Sequence, residues 1–185
     1  MSSSPSPETG APSNDLRIAI SGKSGCGNST VSRLVADRLG LPMINYTFKD
    51  LARDNGMTFE EVCRKAEEGP EFDYLIDRMQ VEMAEQGPCV LGSRLAIWLL
   101  RDKAFTVYLD APPEIRAARI AMREGYTHAD SLAKMLARDK RDRERYLRLY
   151  DWDMDSYAFA RLVIDTGSLE PTAVADRIVK AVRAG

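Results

Sequence analysis

Gly22-Lys23-Ser24-Gly25-Cys26-Gly27-Asn28-Ser29 matches the spacing G-x-x-x-x-G-K-[ST] at every fixed position but one, where Asn28 stands in place of lysine. Glycines at 22, 25 and 27 permit positive φ and a close approach of backbone to ligand, so successive N–H groups can converge on one anion. A helix beginning just beyond them would add the positive end of its dipole. Ser29, with Thr30 behind it, stands where a hydroxyl reaches a magnesium ion bridging two phosphates. What Asn28 removes is a point charge on the β- and γ-phosphates, where charge moves during phosphoryl transfer. Three remedies are open: Lys23 reaches in from the loop, arginines elsewhere supply the charge, or nucleotide is bound without catalysis. A glycine-rich turn that binds nothing is the plainer alternative, and the strand before, the helix after and the two hydroxyls argue against it.

Arginines form the second chemical feature. Arg116, Arg119 and Arg123 recur at i, i+3 and i+7, and after Gly125, with Thr127 as expected N-cap, Arg138, Arg141, Arg145 and Arg148 repeat the pattern. Between positions 116 and 148 ten Lys and Arg face five Asp and Glu, so the rest of a chain of net charge −2 is acidic. Pairs such as Arg138/Asp142 and Asp139/Arg143 could be ordinary surface ion pairs. Like charges at i, i+4 nevertheless cost stability unless an anion lies between them, and guanidinium groups bind phosphate oxygens bidentately without losing charge. Nucleic-acid binding is disfavoured, because the remainder is acidic and no aromatic platform accompanies the arginines.

These residues need elements to carry them. Residues 16–20 form a short apolar run leading through the loop into an amphipathic helix, the order strand, phosphate loop, helix. Residues 41–45, 89–91, 105–109 and 162–164 read as further short strands. Between them, 46–55 and 58–68 read as helices, the second opened by a Thr58/Glu61 capping box, and 71–86 as a longer one with Phe72, Leu75, Ile76, Met79 and Met83 on one face. A final helix spans 170–183. Short apolar strands alternating with helices predict an α/β fold of the P-loop NTPase kind, a parallel sheet of about five strands flanked by helices, with ligands at the carboxyl ends of the strands. Residues 45–87 would form a helical flap over one substrate and 123–150 an arginine-rich lid, within a single domain spanning 16–185. Residues 1–15, rich in Ser and Pro, lack the basic start and apolar core of a signal peptide and read as a disordered tail. No run of about 18 apolar residues would span a membrane. Cys26, Cys63 and Cys89 are odd in number, lack a CxxC pair and have only His128 as an imidazole partner, which argues for a reducing cytoplasm and against a disulfide scaffold or zinc site. Cys26, in an anion-binding loop, could be a reactive thiol, although a small residue tolerated there is the simpler reading.

Taken together, the chain from about residue 16 to 182 resembles the cytidylate kinase family of nucleoside monophosphate kinases in its archaeal-type form. ISGKSGCGNSTVSRLVADRLG looks like the family's opening, FKDLARDNGMTFEEVCRKAEEGPEFDYLIDRMQ is similar to its monophosphate-binding flap, and RDKRDRERY resembles its lid motif. GSRLA is similar to the family's G-R-L-A turn with Ser93 inserted, and VIDT to its last strand. The resemblance implies transfer of a phosphoryl group from ATP to CMP or dCMP with Mg²⁺; a monomer is the default expectation for a kinase that must open and close over its substrates, and no nucleic-acid partner is expected. It implies that Gly22, Lys23, Ser24, Gly25, Cys26, Gly27, Asn28, Ser29 and Thr30 cradle ATP, with Ser29 toward the metal. Lys49, where the family has an arginine, would hold the acceptor phosphate with Arg78 and Arg94. Asp77 or Asp139 would read the cytosine amino group, and Arg119, Arg123, Arg138 and Arg145 would act catalytically by closing over the reacting phosphates. The rival expectations are a nucleotide-binding protein with weak or no kinase activity, because of Asn28, and a kinase for another small acceptor.

Overall fold

A computed structural model describes residues 15–184, so the expected tail lies outside the described residues apart from Asp15. Five parallel strands, β1 (Arg17–Gly22), β2 (Met43–Ile44), β3 (Cys89–Gly92), β4 (Phe105–Asp110) and β5 (Leu162–Asp165), lie in the order β2-β3-β1-β4-β5. The helices are α1 (Asn28–Leu39), α2 (Phe48–Asp54), α3 (Phe59–Glu68), α4 (Glu71–Glu85), α5 (Ala96–Leu99), α6 (Pro113–Glu124), α7 (His128–Tyr150) and α8 (Pro171–Ala184). Among the described residues no helix is long and apolar enough to cross a membrane.

The strands read as unbroken apolar runs because both faces of the sheet are covered, and alternation sends neighbours to opposite sides. Ile18, Ile20, Val107, Leu109 and Ile164 pack with Val31, Val35, Val174 and Ile178 of α1 and α8. Ala19, Leu91 and Tyr108 face the other way, toward Ala84 of α4, Ile97 and Trp98 of α5, and the non-helical residues Met154, Tyr157 and Phe159. Tyr46, Leu51, Ala52, Val62 and Ile76 make a separate core for α2, α3 and the start of α4. That small core covers the segment expected as a flap.

Local signals set most of the boundaries. Thr58 caps α3 as expected, its Oγ1 accepting from the Glu61 N–H at 3.2 Å while Glu61 Oε2 accepts from the Thr58 N–H at 2.8 Å. A second box, in which Asp50 accepts from the Thr47 N–H at 2.9 Å, starts α2 at Phe48 rather than at Tyr46. Gly25 and Gly27 adopt φ of +83° and +90°, but Gly22 does not share that conformation. Gly22 is required for proximity instead: a Cβ there would lie 2.7 Å from the Leu109 carbonyl of β4. At Gly25 both constraints coincide, since an added Cβ would lie 2.7 Å from the Arg116 carbonyl.

Helices α4 and α7 are joined by polar contacts. Arg145 pairs with Asp73 and donates to the Ala66 carbonyl at 3.2 Å. The Tyr150 hydroxyl donates to Asp77 at 2.6 Å, and the Tyr74 hydroxyl donates to the Leu149 carbonyl at 3.1 Å. Burial, opposed by the Tyr150 hydrogen bond and reinforced by the Asp73 charge, pushes the Asp77 carboxyl up from 3.8 to about 6. Because the folded-state value is the higher one, this group's contribution to stability is complete below its ordinary range and is lost as pH rises through about 6.

Two outcomes are expected. Gly25→Ala should lower the unfolding free energy by about 2 kcal/mol in urea titration, and a change below about 0.5 kcal/mol would show that the loop is not held against Arg116. Asp77→Asn should gain roughly 2 kcal/mol on the unsubstituted protein between pH 4 and pH 7. A stability difference independent of pH would mean that Asp77 ionises without penalty.

Candidate active site

The carboxyl ends of β1, β2, β3 and β5 open onto a cleft of ≈ 940 Å³. The loop Gly22–Thr30 forms its floor, Asn45, Tyr46, Thr47 and Gln80 its wall on the α2–α4 side, and Arg119, Arg123 and Arg138 come from α6 and α7. Leu169, Pro171, Val174, Met122 and Tyr126 also line the cleft. Helix α1 starts after Gly27 with no side-chain cap and no acidic residue in its first turn, so its leading N–H groups remain free for an anion. Ser29 and Thr30 are exposed on that turn. Cys26 is 1% exposed, and burial pushes its thiol up to about 11, so it supplies backbone and packing rather than a nucleophile.

Asn28 is committed elsewhere. Its amide Nδ2 donates to the Ser93 carbonyl at 3.1 Å, and its Oδ1 accepts from the Ser32 hydroxyl at 2.9 Å. The same Ser93 carbonyl accepts from Ser21 Oγ at 3.0 Å, tying the ends of β1 and β3 to the first turn of α1. Lys23 is paired with Asp155, which also lies 3.1 Å from Arg143.

The arginines divide by role. Arg116, 4% exposed, donates to the Ala111 carbonyl at 3.1 Å, the Ser24 carbonyl at 3.0 Å and Asp139 at 2.6 Å, supporting the loop from beneath. Arg119 donates to the Thr166 carbonyl at 2.6 Å and to its hydroxyl at 3.1 Å while lining the cleft. Arg94 donates to Ser24 Oγ at 2.9 Å and pairs with Asp142, which aims it at the loop despite the inserted Ser93. Arg138 has Asp142 only at 3.9 Å; partial burial and then the Arg94 charge pull its guanidinium below the ordinary arginine range. An anion in the cleft would relieve that repulsion.

Of the residues expected in the site, the loop, Arg94, Arg119, Arg123 and Arg138 share the cleft, whereas Lys49, Asp77, Arg78, Asp139 and Arg145 do not line it. The Lys49 ammonium lies 5.9 Å above the exposed Phe59 ring, and Arg78 pairs with Glu82 at 3.5 Å on the outer face of α4. Asp77 and Arg145 belong to the α4–α7 junction, and Asp139 to Arg116 beneath the loop. The expected common face of the second arginine series is thus divided, because Arg138 to Arg148 covers about 15 Å of a 23-residue helix. Unforeseen participants are Asn45, Tyr46, Thr47, Gln80 and Thr166 on the cleft and Asp142 between two arginines. Gln80 had a legible signal, falling i+4 from Ile76 on the apolar side of α4; Thr166 closes the VIDT stretch already likened to the family's last strand, and Asn45 had none.

Among the described residues no group of three or more His, Cys, Asp or Glu side chains could hold a metal ion. The Ser29 hydroxyl at the uncapped turn is a hard oxygen donor of the kind Mg²⁺ accepts when phosphates and water complete its shell, so the residues present fit a metal that arrives with nucleotide.

The profile of the cytidylate kinase-like family matches residues 17–168. "Cytidylate kinase 2" of Borreliella burgdorferi is 41% identical over 167 residues, covering 88% of this chain and 93% of that one. "Cytidylate kinase" of Archaeoglobus fulgidus is 39% identical over 170 residues, covering 90% and 94%. Among solved structures, an uncharacterized protein from Eubacterium ventriosum superposes with TM-score 0.72 at 17% identity, covering 92% and 99%. Shikimate kinase from Bacteroides thetaiotaomicron does so with 0.64 at 18%, covering 91% and 98%, and both likenesses speak for the fold. With the profile and these relatives spanning nearly all of the described residues, the chain belongs to the cytidylate kinase-like family.

Proposed function

We propose that this nucleoside monophosphate kinase takes ATP as donor and CMP or dCMP as acceptor, giving ADP and CDP or dCDP. The observation that carries the reading is the meeting, in one cleft, of an uncapped helix start behind a glycine loop with Arg94, Arg119, Arg123 and Arg138, in a chain whose relatives are named cytidylate kinases. An oxygen of the acceptor phosphate attacks the γ-phosphorus while the bond to the β–γ bridging oxygen breaks. The attacking group is already an anion, so no general base is required. The residues therefore work by placement and charge. The loop N–H groups and α1 hold the donor phosphates, Arg94 and Arg138 draw the two phosphates together, and Arg119 and Arg123 add positive charge from α6. Mg²⁺ would add charge neutralisation beside Ser29. Lys49 and Arg78 can meet the acceptor only if the flap, residues 45–87, swings over the cleft. A monomer in a reducing cytoplasm completes the proposal, in keeping with three free cysteines.

The second reading, nucleotide binding without transfer, rests on Asn28, whose amide is held by Ser93 and Ser32. ADP formation with ATP, Mg²⁺ and each of CMP, dCMP, UMP, AMP and GMP separates the two. Turnover stimulated by CMP or dCMP is expected; ATP binding with no monophosphate raising turnover above background would favour the second reading. Arg138→Ala should lower kcat by about 10²-fold, and a loss under threefold would remove it from the transition state. Lys23→Ala should cost less than about fivefold, since Asp155 already engages that ammonium; a loss as large as that of Arg138→Ala would make Lys23 the replacement for the absent lysine.

A further inference from the structure

Gln80 is a wall residue of the cleft whose polar side chain is nearly inaccessible and half satisfied; the Ser93 and Ser131 hydroxyls, which also line the cleft without a partner, can turn to donate or accept, whereas an amide oxygen can only accept. It is 4% exposed on α4, and its Nε2 donates to the Tyr46 carbonyl at 2.8 Å. A carbonyl can only accept, so the nitrogen must occupy that side and the amide cannot be turned over. Its Oε1 is thereby fixed as an acceptor, and that atom has no partner. Buried amide oxygens are ordinarily paired, and an unpaired one bordering a ligand cleft calls for a donor brought by the ligand.

Position indicates which part of the ligand that is. If CMP is the acceptor, as proposed above and as this inference presupposes, its phosphate must lie toward Arg94 and the loop for in-line transfer. The end left for the wall of Tyr46, Thr47 and Gln80 is the base. Cytosine carries an amino donor at position 4, whereas uracil presents a carbonyl oxygen there. The acidic candidates for reading it stand apart from the cleft: Asp77 accepts from Tyr150 at 2.6 Å and Asp139 Oδ2 from Arg116 at 2.6 Å, and although Asp139 Oδ1 has no partner, neither residue lines the cleft. We infer that Gln80 reads the 4-amino group of the acceptor base, with Tyr46 holding the amide so that only its oxygen faces the nucleotide. A neutral acceptor in this place favours cytosine by a hydrogen bond and disfavours uracil by setting two acceptors face to face.

The test compares CMP, dCMP, UMP and the 4-unsubstituted pyrimidin-2-one ribonucleoside monophosphate, by kcat/KM and by calorimetric Kd, in the unsubstituted protein and in Gln80→Met. The unsubstituted protein should favour CMP over UMP and over the 4-unsubstituted analogue by about tenfold or more. In Gln80→Met both preferences should fall to within about threefold while the Kd for ATP is unchanged. A purely structural Gln80 would weaken all four acceptors equally and leave their ratios intact, which overturns the inference. A change confined to the CMP/dCMP ratio also overturns it, by placing a ribose hydroxyl at Oε1. Should Gln80→Met fail to fold, the unsubstituted protein decides, since equal affinity for CMP and the 4-unsubstituted analogue excludes a reader of the amino group. Loss of turnover with every acceptor would refute the kinase reading alone, because the calorimetric ratios still judge Gln80.

Discussion

Arg116 donates at once to two carbonyls and to the Asp139 carboxylate, and at 4% exposure it has no water to fall back on. Breaking a buried pair of this kind costs about 3–5 kcal/mol, mainly because the surviving charge is stranded. That constraint explains several features together. The Ser24 carbonyl is held from below, Gly25 must lack a side chain because the Arg116 backbone lies against it, and α7 is held to α6 through Asp139. The cleft-facing arginines inherit their positions from this pair: Arg119 lies one turn beyond Arg116 on α6, and Arg138 directly precedes Asp139 on α7. A guanidinium that does not line the cleft thus sets the aim of those that do.

Under the kinase reading proposed above, the absent loop lysine becomes a change in where positive charge originates. Asn28 spends both ends of its amide on Ser93 and Ser32, joining α1 to the end of β3, and Lys23 is drawn outward to Asp155. The cations left facing the loop arise from the β3 turn and from the α6–α7 hairpin. A lysine in the loop would be present whenever nucleotide binds, whereas charge carried on a hairpin depends on how that hairpin is placed. Electrostatic catalysis would then be coupled to lid position.

The strand, loop and helix around Gly22 were legible because glycine spacing and apolar runs are local in sequence, and the five strands followed from the same periodicity. The Thr58 capping box was legible for the same reason. Arginine spacing identified which helix faces carry charge but not what each charge meets. Arg116 and Arg145 have the periodicity of Arg119 and Arg138, yet their partners, Asp139 and Asp73, lie 23 and 72 residues away. Asp77 and Asp139 were expected to read the amino group on the strength of the family resemblance. Tertiary packing supplied them with Tyr150 and Arg116, and placed the neutral Gln80 on the cleft wall instead. The segment 151–161 had no periodicity to read, although Met154 and Phe159 help to close one face of the sheet.

The same region gives the protein an internal optical probe. Its two tryptophans are Trp98, edge-on to Tyr108 and Phe159, and Trp152, stacked on Tyr150 with ring centroids 4.7 Å apart. Neither indole borders the cleft near Leu169 and Pro171, while Trp152 rests on the tyrosine that binds Asp77 across the α4–α7 junction. Tryptophan fluorescence should therefore be blind to a ligand that merely sits near Leu169 and responsive to any rearrangement that separates α4 from α7. Occupancy and movement could then be followed as separate signals in the unlabelled protein.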